Sequence, residues 1–171
     1  VDLRLRMRLD ETTDAYRVVH AEGDGLSGLI VERYANYLVF EFFSLGMFQR
    51  QAMLADHLIK ALGPPRSLDR PAATDLTWQS VLRADREMEQ IEGFQVPPSA
   101  PANVVIREHG IRYRVDMTGG HKTGFFCDQR DNRRQLAQWC EGANVRRCER
   151  MRRAWVRRCE TVRGARVYAM V

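Results

Sequence analysis

Residues 119–134 combine three glycines, two phenylalanines, two aspartates and several cations, and this mixture could bind an anion. Phe125 and Phe126 predict a short apolar strand, and Asp128 predicts the N-cap of a helix over residues 129–141. Backbone N–H groups in the first turn of a helix have no partner inside the helix, and the helix dipole is positive there. That first turn would therefore attract a carboxylate or a phosphate.

The polar side chains of the first helical turn could complete such a site with their own hydrogen-bond donors. They are Gln129, Arg130, Asn132 and Arg133. The helical period would place Leu136, Trp139 and Cys140 on one apolar face. A capped surface helix with solvated arginines is the simpler interpretation, and the local pattern alone favours it because helix starts of this kind are common.

Two longer stretches carry a resemblance to a known family. Residues 122–133, Lys-Thr-Gly-Phe-Phe-Cys-Asp-Gln-Arg-Asp-Asn-Arg, resemble a signature of the class I S-adenosylmethionine-dependent methyltransferases that form 5-methylcytosine in bacterial large-subunit ribosomal RNA. Cys127 departs from it, since the family has leucine there. Residues 13–34 resemble the central domain of the same family. Two long matches in the family's order are more specific than one short motif, and the resemblance covers residues 1–144.

The resemblance implies which residues meet the cofactor and the RNA. Beside the S-adenosylmethionine pocket it places Lys122, Phe125, Phe126, Asp128, Gln129 and Arg130. Near the RNA it places Arg130, Asn132, Arg133 and Arg134. The implied roles are donors to the methionyl carboxylate or an RNA phosphate for Gln129 and Arg130, an apolar wall for the two phenylalanines, and a helix cap for Asp128. Ribosomal RNA is the implied partner, and a homodimer is left open.

The composition indicates a chain with a core and a basic C-terminal tail. A length of 171 residues and a hydrophobic fraction of 44% suit one medium domain, or one domain with part of another. From Asn144 onwards, nine arginines and two glutamates give a net charge of +7, so residues 1–143 carry −2 of the total +5. The tail accounts for the basic pI of about 9.3, and the rest of the chain is slightly acidic.

Several classes of protein and site are disfavoured. No apolar run is long enough to span a bilayer and no secretory signal is present, which predicts a cytoplasmic protein without a membrane partner. The four cysteines form no C-x-x-C pair, so neither zinc nor a disulfide framework is expected. Residues 22–28 form a loop with three glycines, and the acidic residues in or near it, Asp14, Glu22 and Asp24, lack the spacing of a calcium loop. We therefore predict no metal site.

The apolar pattern predicts an α+β fold, a mixed sheet of β-hairpins with packed helices that leads into a truncated Rossmann-like methyltransferase domain. Strands are predicted at residues 16–19, 29–34, 37–43, 104–108 and 111–115. A helix over residues 47–62 would be capped by Ser44. Residues 1–9 alternate like a strand, although the resemblance implies a helical connection. Residues 66–90 predict an extended piece near 67–68 and a helix within 74–89.

The predicted organisation has four parts. Residues 1–13 would be a linker from a missing N-terminal RNA-binding module of the PUA type, as the absence of an initial methionine suggests. Residues 14–118 would form the α+β central domain, and residues 119–143 the glycine turn, Phe-Phe strand and linker helix. Residues 144–171 would be an aberrant arginine-rich stub of the methyltransferase domain.

The stub departs from the family's pattern. The family continues with an apolar strand and a glycine-rich cofactor loop, and residues 144–161 contain neither. Residues 162–169 resemble the family again. We interpret residues 145–161 as the product of a shifted reading frame, and the alternative is a genuine basic helix that binds RNA phosphates.

The sequence thus predicts part of an S-adenosylmethionine-dependent rRNA methyltransferase. This chain is predicted to be inactive, because cytosine-C5 methylation needs a thiolate nucleophile and neither Cys148 nor Cys159 matches a catalytic motif. No catalytic residue is therefore predicted. The alternatives are a non-catalytic RNA-binding adaptor that uses the central sheet and the tail, and a pseudogene product without a function of its own.

Overall fold

The computed structural model describes residues 1–68, 74–84, 86–97, 101, 103–117 and 125–139, with the backbone of 161–162 and 165–166. Its helices are α1 Asp2–Arg6, α2 Leu45–Gln49, α3 Gln51–Leu62, α4 Arg86–Glu92 and α5 Arg130–Trp139. Its strands are β1 Ala15–His20, β2 Leu29–Tyr34, β3 Tyr37–Phe42, β4 Gln79–Ala84, β5 Asn103–Glu108, β6 Ile111–Asp116, β7 Thr161–Val162 and β8 Ala165–Arg166. The predicted α+β class is confirmed. Within the described ranges, no helix is long and apolar enough to cross a bilayer.

Strands β1 to β4 form one sheet in the order β1-β2-β3-β4. The first three strands run antiparallel, and β4 runs parallel to β3. A tight turn joins β2 and β3, and Ala35 there has a positive φ of 54°. Strand β3 is paired on both sides and is therefore central in the sheet, which explains why its sequence is almost wholly apolar.

Strand β4 corrects the prediction of a helix within residues 74–89. The chain forms β4 first, and only then the helix α4. On β4, Val81 is buried and pairs with Val39 of β3. Most of β4 is only partly buried, so its sequence does not alternate between apolar and polar residues as a half-buried strand usually does. Its conformation is instead fixed by hydrogen bonds to β3.

The N-terminal half of the chain also corrects one helix boundary. The predicted helix over residues 47–62 is two helices, α2 and α3, that meet at Arg50. The cap prediction is confirmed, because the Ser44 hydroxyl accepts a hydrogen bond from the Met47 backbone N–H at 3.4 Å. Residues 2–6 are helical as α1, so the alternation of apolar and arginine residues there does not make a strand.

The hydrophobic core lies on both faces of the four-stranded sheet, because side chains alternate along each strand. One face packs against α2 and α3 through residues such as Val31, Leu38 and Phe40. The opposite face carries Tyr34 and Val39 and packs against the β5-β6 hairpin. Phe125 and Cys127, in the segment that leads into α5, belong to this second part of the core.

The β5-β6 hairpin is the predicted one and is tied to the start of β1. The Asp14 side chain accepts a hydrogen bond from the Arg107 backbone N–H at 2.6 Å, and the His109 backbone N–H donates to the Thr12 carbonyl at 2.8 Å. These bonds hold the end of β5 against the sheet. The last residue of β5, Glu108, is buried there.

The segment before α5 contradicts two predictions. Phe125 and Phe126 lie in no strand, and residues 127–129 form a 3₁₀ turn that leads into α5. Asp128 is therefore not the N-cap of a helix over residues 129–141. The Gln129 backbone N–H donates to the Phe126 carbonyl at 3.1 Å, which closes this 3₁₀ turn. The predicted apolar face of this helix is not buried either, since Leu136 and Trp139 are exposed.

Some sequence-based expectations lie outside the described residues. They concern the glycine turn at 119–120, Lys122, Cys140 and the interpretation of residues 145–161 as a shifted reading frame.

Candidate functional site

Arg133 anchors helix α5 to the β5-β6 hairpin. Its Nε and Nη2 donate to the two carboxylate oxygens of Glu108, each at 2.8 Å, and its Nη1 donates to the Phe126 carbonyl at 2.8 Å. The two side chains are 8% and 1% exposed. Burial disfavours the charged guanidinium, but the hydrogen bond and the negative charge of Glu108 outweigh it and raise the pKa of Arg133. The pair is therefore a closed, neutralised contact.

This geometry bears on the RNA role expected for Arg133. Each of its three side-chain nitrogens already has an acceptor inside the protein. Its guanidinium carbon also lies 4.2 Å from the centroid of the Phe125 ring. A free, solvated arginine, as the surface-helix interpretation required, is therefore wrong for this residue. We leave Arg133 out of the RNA-binding set proposed below.

Phe125 belongs to the core, so its side chain is not free to form the apolar wall expected of it. Its ring makes an edge contact with Tyr34 at 6.4 Å between centroids and packs against Tyr113 at 5.4 Å. The Tyr34 hydroxyl lies 2.9 Å from Glu32 Oε2 and 3.2 Å from the Phe125 carbonyl oxygen, and its single proton can serve only one at a time. Phe126, in contrast, is 48% exposed.

Cys127, the departure from the family signature, is buried beneath the same contacts. Its Sγ donates to the Tyr34 hydroxyl oxygen across 3.7 Å. Burial, and then the negative charge of Glu32, raise the pKa of the Cys127 thiol to about 12. A thiol with that pKa stays protonated at neutral pH, so Cys127 is a structural residue and a poor nucleophile.

The remaining signature residues lie together on the outer side of the α5 start. Three of them, Asp128, Gln129 and Asn132, have exposed side chains, and so does Arg134, which follows the signature. Asn132 Nδ2 donates to Gln129 Oε1 at 2.6 Å, which leaves the Gln129 amino group for an outside acceptor. Arg130 is only 16% exposed, and its Nε lies 3.5 Å from the Asp131 carboxylate.

These outer residues fit one part of S-adenosylmethionine, its methionyl carboxylate. The Gln129 amino group and the Arg130 guanidinium are suitable donors to a carboxylate, and both lie at the positive end of the α5 dipole. Phe126 adds exposed apolar surface beside them. Donors at a helix start beside an exposed aromatic ring are the kind of groups that bind such a carboxylate.

Glu108 is a site residue that the sequence reasoning missed. It shares the inward face of β5 with Val104 and Ile106, and all three are buried. An acid at an inward position of an alternating strand predicts a buried cation as its partner, and this signal is visible in the sequence. It does not reveal which of the many arginines that partner is.

His109 lies in the turn between β5 and β6, near the charged groups at the start of α5. Its Nε2 is buried and has no hydrogen-bond partner, and its φ is 47° in the turn between β5 and β6. Burial, and then the positive charge of Arg134, lower the pKa of His109. In the part of the chain that the structure describes, no group of histidine, cysteine and acidic side chains is placed to hold a metal ion.

Comparisons with curated proteins give consistent relatives, although no protein-family model matches the chain. Ribosomal RNA large subunit methyltransferase I of Vibrio vulnificus strain YJ016 is 32% identical over 133 residues, which are 78% of this chain and 32% of the relative. The enzyme of that name from Erwinia tasmaniensis is 32% identical over 146 residues, 85% of this chain and 35% of the relative. The enzyme of that name from Enterobacter sp. strain 638 is 35% identical over 137 residues, which are 79% of this chain and 32% of the relative.

Two solved structures share the fold. A SAM-dependent methyltransferase from Streptococcus mutans matches with a TM-score of 0.56 at 21% identity, over 79% of this chain and 32% of that one. A methyltransferase solved in complex with SAH matches with a TM-score of 0.54 at 22% identity, with the same coverage. The chain spans about one third of the length of the relatives it matches. The comparisons therefore support a relationship to the large-subunit rRNA methyltransferases, over about one third of their length.

Proposed function

We propose that this chain is part of an S-adenosylmethionine-dependent methyltransferase that modifies large-subunit ribosomal RNA. The observation that carries the proposal is the identity of 32% over 133 residues with an enzyme of that name. The finer proposal is that the product is 5-methylcytosine and that the intact enzyme is of the PUA-domain-containing type. It is supported by the resemblance of residues 122–133 to the signature of that family.

In this proposal the start of α5 contributes binding and positioning. S-adenosylmethionine supplies the electrophilic methyl group when it is bound. Gln129 and Arg130 donate to its carboxylate, whereas Asn132 and Arg134 face the RNA phosphates. The Arg133–Glu108 pair holds α5 in place, so that these donors are oriented before a ligand arrives.

We further propose that this chain does not transfer the methyl group by itself. Addition of a thiolate to the cytosine ring has to precede methyl transfer to C5. The cysteine inside the signature stretch, Cys127, is buried with a pKa raised to about 12 and is therefore unsuited to that step. The catalytic nucleophile would belong to the part of the relatives that this chain does not span.

A chimeric enzyme tests the proposal. Residues 1–139 of this chain replace the matching third of the Vibrio vulnificus relative, and transfer of a tritiated methyl group to large-subunit rRNA is measured. We expect transfer that depends on the RNA, and 5-methylcytosine when the nucleosides are identified by mass spectrometry. A folded chimera that binds S-adenosylmethionine but methylates no rRNA contradicts the function. A different methylated base contradicts only the finer proposal.

Arg130→Ala in this chimera tests the assigned binding role. We expect the dissociation constant for S-adenosylmethionine or for RNA to rise about tenfold or more, because a hydrogen bond to a charged group contributes roughly 1.5–3 kcal/mol. Titration calorimetry for the cofactor and filter binding for the RNA measure the two constants. Arg114→Ala is the matched control, since Arg114 is exposed on β6, away from α5. If both constants stay unchanged, Arg130 does not have this role.

A non-catalytic RNA-binding adaptor is the second candidate, favoured by the net charge of +7 in residues 144–171. Filter binding at two salt concentrations compares the chain with and without these residues, because contacts to phosphates weaken steeply with salt. Sequence-specific affinity that survives the deletion supports the adaptor. Affinity that vanishes with the tail shows only indiscriminate attraction to phosphates.

A further inference from the structure

A pocket of about 400 Å³ lies between the N-terminal segment, the edge of β1 and β2, and the residues that follow α3. It is away from the start of α5. Arg33 lines this pocket. It lies between Glu32 and Tyr34 on β2, and because side chains alternate along a strand, Arg33 points to the face of the sheet opposite to that of Tyr34. Tyr34 contacts Phe125, whereas Arg33 faces Tyr16, its cross-strand partner on β1.

Arg33 is a buried cation without an acidic partner. It is only 3% exposed, and no carboxylate of the described residues forms an ion pair with it. Its Nε donates to the Ala35 carbonyl at 2.9 Å, its Nη1 to the Tyr16 hydroxyl at 3.4 Å, and its Nη2 to the Arg66 carbonyl. A guanidinium has five N–H groups, so two are left for another acceptor.

Two aromatic rings enclose this guanidinium. Its central carbon lies 5.5 Å from the Tyr16 ring centroid and 5.2 Å from that of Trp78. Ring faces and carbonyl oxygens compensate part of the cost of burying a cation, but neither brings a full negative charge. The positive charge of Arg33 is therefore held in position at the wall of the pocket, with no neutralising carboxylate bound to it.

The rim of the pocket adds further cations. Arg8 pairs with Glu11 and Arg66 pairs with Asp10, and the two arginine side chains are 73% and 77% exposed. Exposed pairs of this kind are weak, so an incoming anion can compete for these arginines. With three arginines and two acids lining it, the pocket keeps one positive charge, that of Arg33.

We propose that this pocket binds a phosphate ester. The phosphate contacts Arg33 and the two rim arginines, because its several oxygens match the donors of more than one guanidinium. The attached organic group packs against the apolar part of the lining, which includes Leu62 and Trp78. The volume lies within the range of small-ligand sites, about 300–1,000 Å³. A free mononucleotide and one nucleotide of an RNA strand share this chemistry.

The indole N–H of Trp78 offers a local probe for the test. It donates to the Gly63 carbonyl at 2.7 Å, and its NMR signal in the full chain can be assigned with Trp78→Phe. Inorganic phosphate, cytidine monophosphate and a cytidine hexamer are titrated separately at low salt. We expect a saturable shift of this signal with at least one of the two esters.

Variants of the pocket and one control make the test specific. Arg8→Ala and Arg66→Ala should each weaken binding about threefold to tenfold, since each removes one charged contact at an exposed rim. Both side chains are exposed, so the fold should be retained. Arg33→Lys keeps the charge but loses the fork of donors, and it should weaken binding at least as much. Arg6→Ala, exposed on the neighbouring helix α1 and outside the pocket, should stay within twofold of the wild type.

The outcomes separate the two sources of the phosphate. A shift with the mononucleotide supports a free nucleotide as ligand, and a shift with the hexamer alone supports a subsite for RNA. No saturable shift with either ester, or a shift with inorganic phosphate only, overturns the proposal. So does affinity that is the same in the wild type and in all three pocket variants. Methyl transfer is not measured here, so this result stands apart from that of the chimera.

Discussion

Two buried arginines on opposite faces of one sheet show how little burial alone says about a cation. The Arg133 side chain is 8% exposed, and Arg33 is 3% exposed. Arg133 meets both oxygens of Glu108, whereas Arg33 meets carbonyl oxygens and the rings of Tyr16 and Trp78. What distinguishes the two arginines is therefore the group that each contacts, and not how deeply each is buried. The contact with a carboxylate makes Arg133 a structural residue, whereas Arg33 keeps a charge that no carboxylate neutralises.

The difference follows from the cost of burying charge. A buried guanidinium and a buried carboxylate neutralise each other's charge. Removing either side chain leaves the charge of the other buried without a partner. A guanidinium held by dipoles and ring faces keeps its charge. The first arrangement suits the attachment of helix α5, and the second suits a site that awaits an anion.

The largest expected effect comes from breaking the closed pair. Arg133→Met should lower the free energy of unfolding by about 3–5 kcal/mol, because it leaves the Glu108 carboxylate buried without a partner. Urea denaturation measures the change. Arg134→Met, at the exposed neighbouring position of the same helix, should change the stability by less than about 0.5 kcal/mol. If Arg133→Met stays within 1 kcal/mol of this control, roughly the net worth of an ordinary hydrogen bond, the pair is not an anchor.

A double variant sharpens this result. Arg133→Met combined with Glu108→Gln removes both charges, so no carboxylate is left buried and unpaired. The double variant should therefore be more stable than Arg133→Met alone. Its loss of stability minus the sum of the losses of the two single variants gives the coupling energy between the two residues. Additive losses in the double variant would mean that the two side chains act independently.

The arginine without a carboxylate partner should matter less for stability. Arg33→Met should lower the free energy of unfolding by about 1–3 kcal/mol, because the carbonyls of Ala35 and Arg66 lose a donor but no carboxylate is stranded. The same urea experiment measures it. A loss as large as that of Arg133→Met would remove the distinction between the two arginines, and a smaller loss would support it.

The smallest expected effect concerns pH and the histidine near the start of α5. The pKa of His109 is lowered from its usual 6.5, so the unfolded chain takes up the proton at a higher pH than the folded chain. Stability should therefore be fully present above pH 6.5 and decline as the pH falls through 6.5 toward the lowered pKa of the folded state. The groups that face His109 there are Arg134, Glu108, Arg130 and Asp131.

His109→Gln isolates this contribution, because glutamine does not titrate. Urea midpoints between about pH 7.5 and 5.5, a range that spans the ordinary histidine pKa, should fall more steeply for the wild type than for His109→Gln. The chain has three other histidines, and their contribution is common to both proteins. Parallel curves would show that His109 does not contribute to the pH dependence.

The sequence predicted the hairpins well and the less regular elements poorly. Strands β2, β3, β5 and β6 are runs of β-branched and aromatic residues on either side of a short turn, so local pattern was enough. Strand β4 has no such pattern, and it forms by pairing with β3 across a long separation in sequence. The Phe125-Phe126 pair looked like a strand, but no neighbouring strand pairs with it among the described residues.

The predicted site residues remain an expectation, but the structure decides which of their side chains face outward. The signature residues that the structure describes lie at the start of a helix, where Gln129, Asn132 and the following Arg134 are exposed. Phe125 and Arg133 instead face inward, toward Tyr34 and Glu108. Facing direction depends on how the helix docks, and the helical period by itself does not specify it.

By itself, the sequence determined the α+β class, the two hairpins, the helix after residue 129 and the position of the basic tail. Each follows from residue type and local spacing. The tertiary structure decided which arginine meets a carboxylate and which is enclosed by aromatic rings. Glu108 is 25 residues from Arg133, and Tyr16 is 17 residues from Arg33. Side chains so far apart in the sequence meet only when the chain folds, because strand pairing and helix docking bring them together and no local pattern connects them.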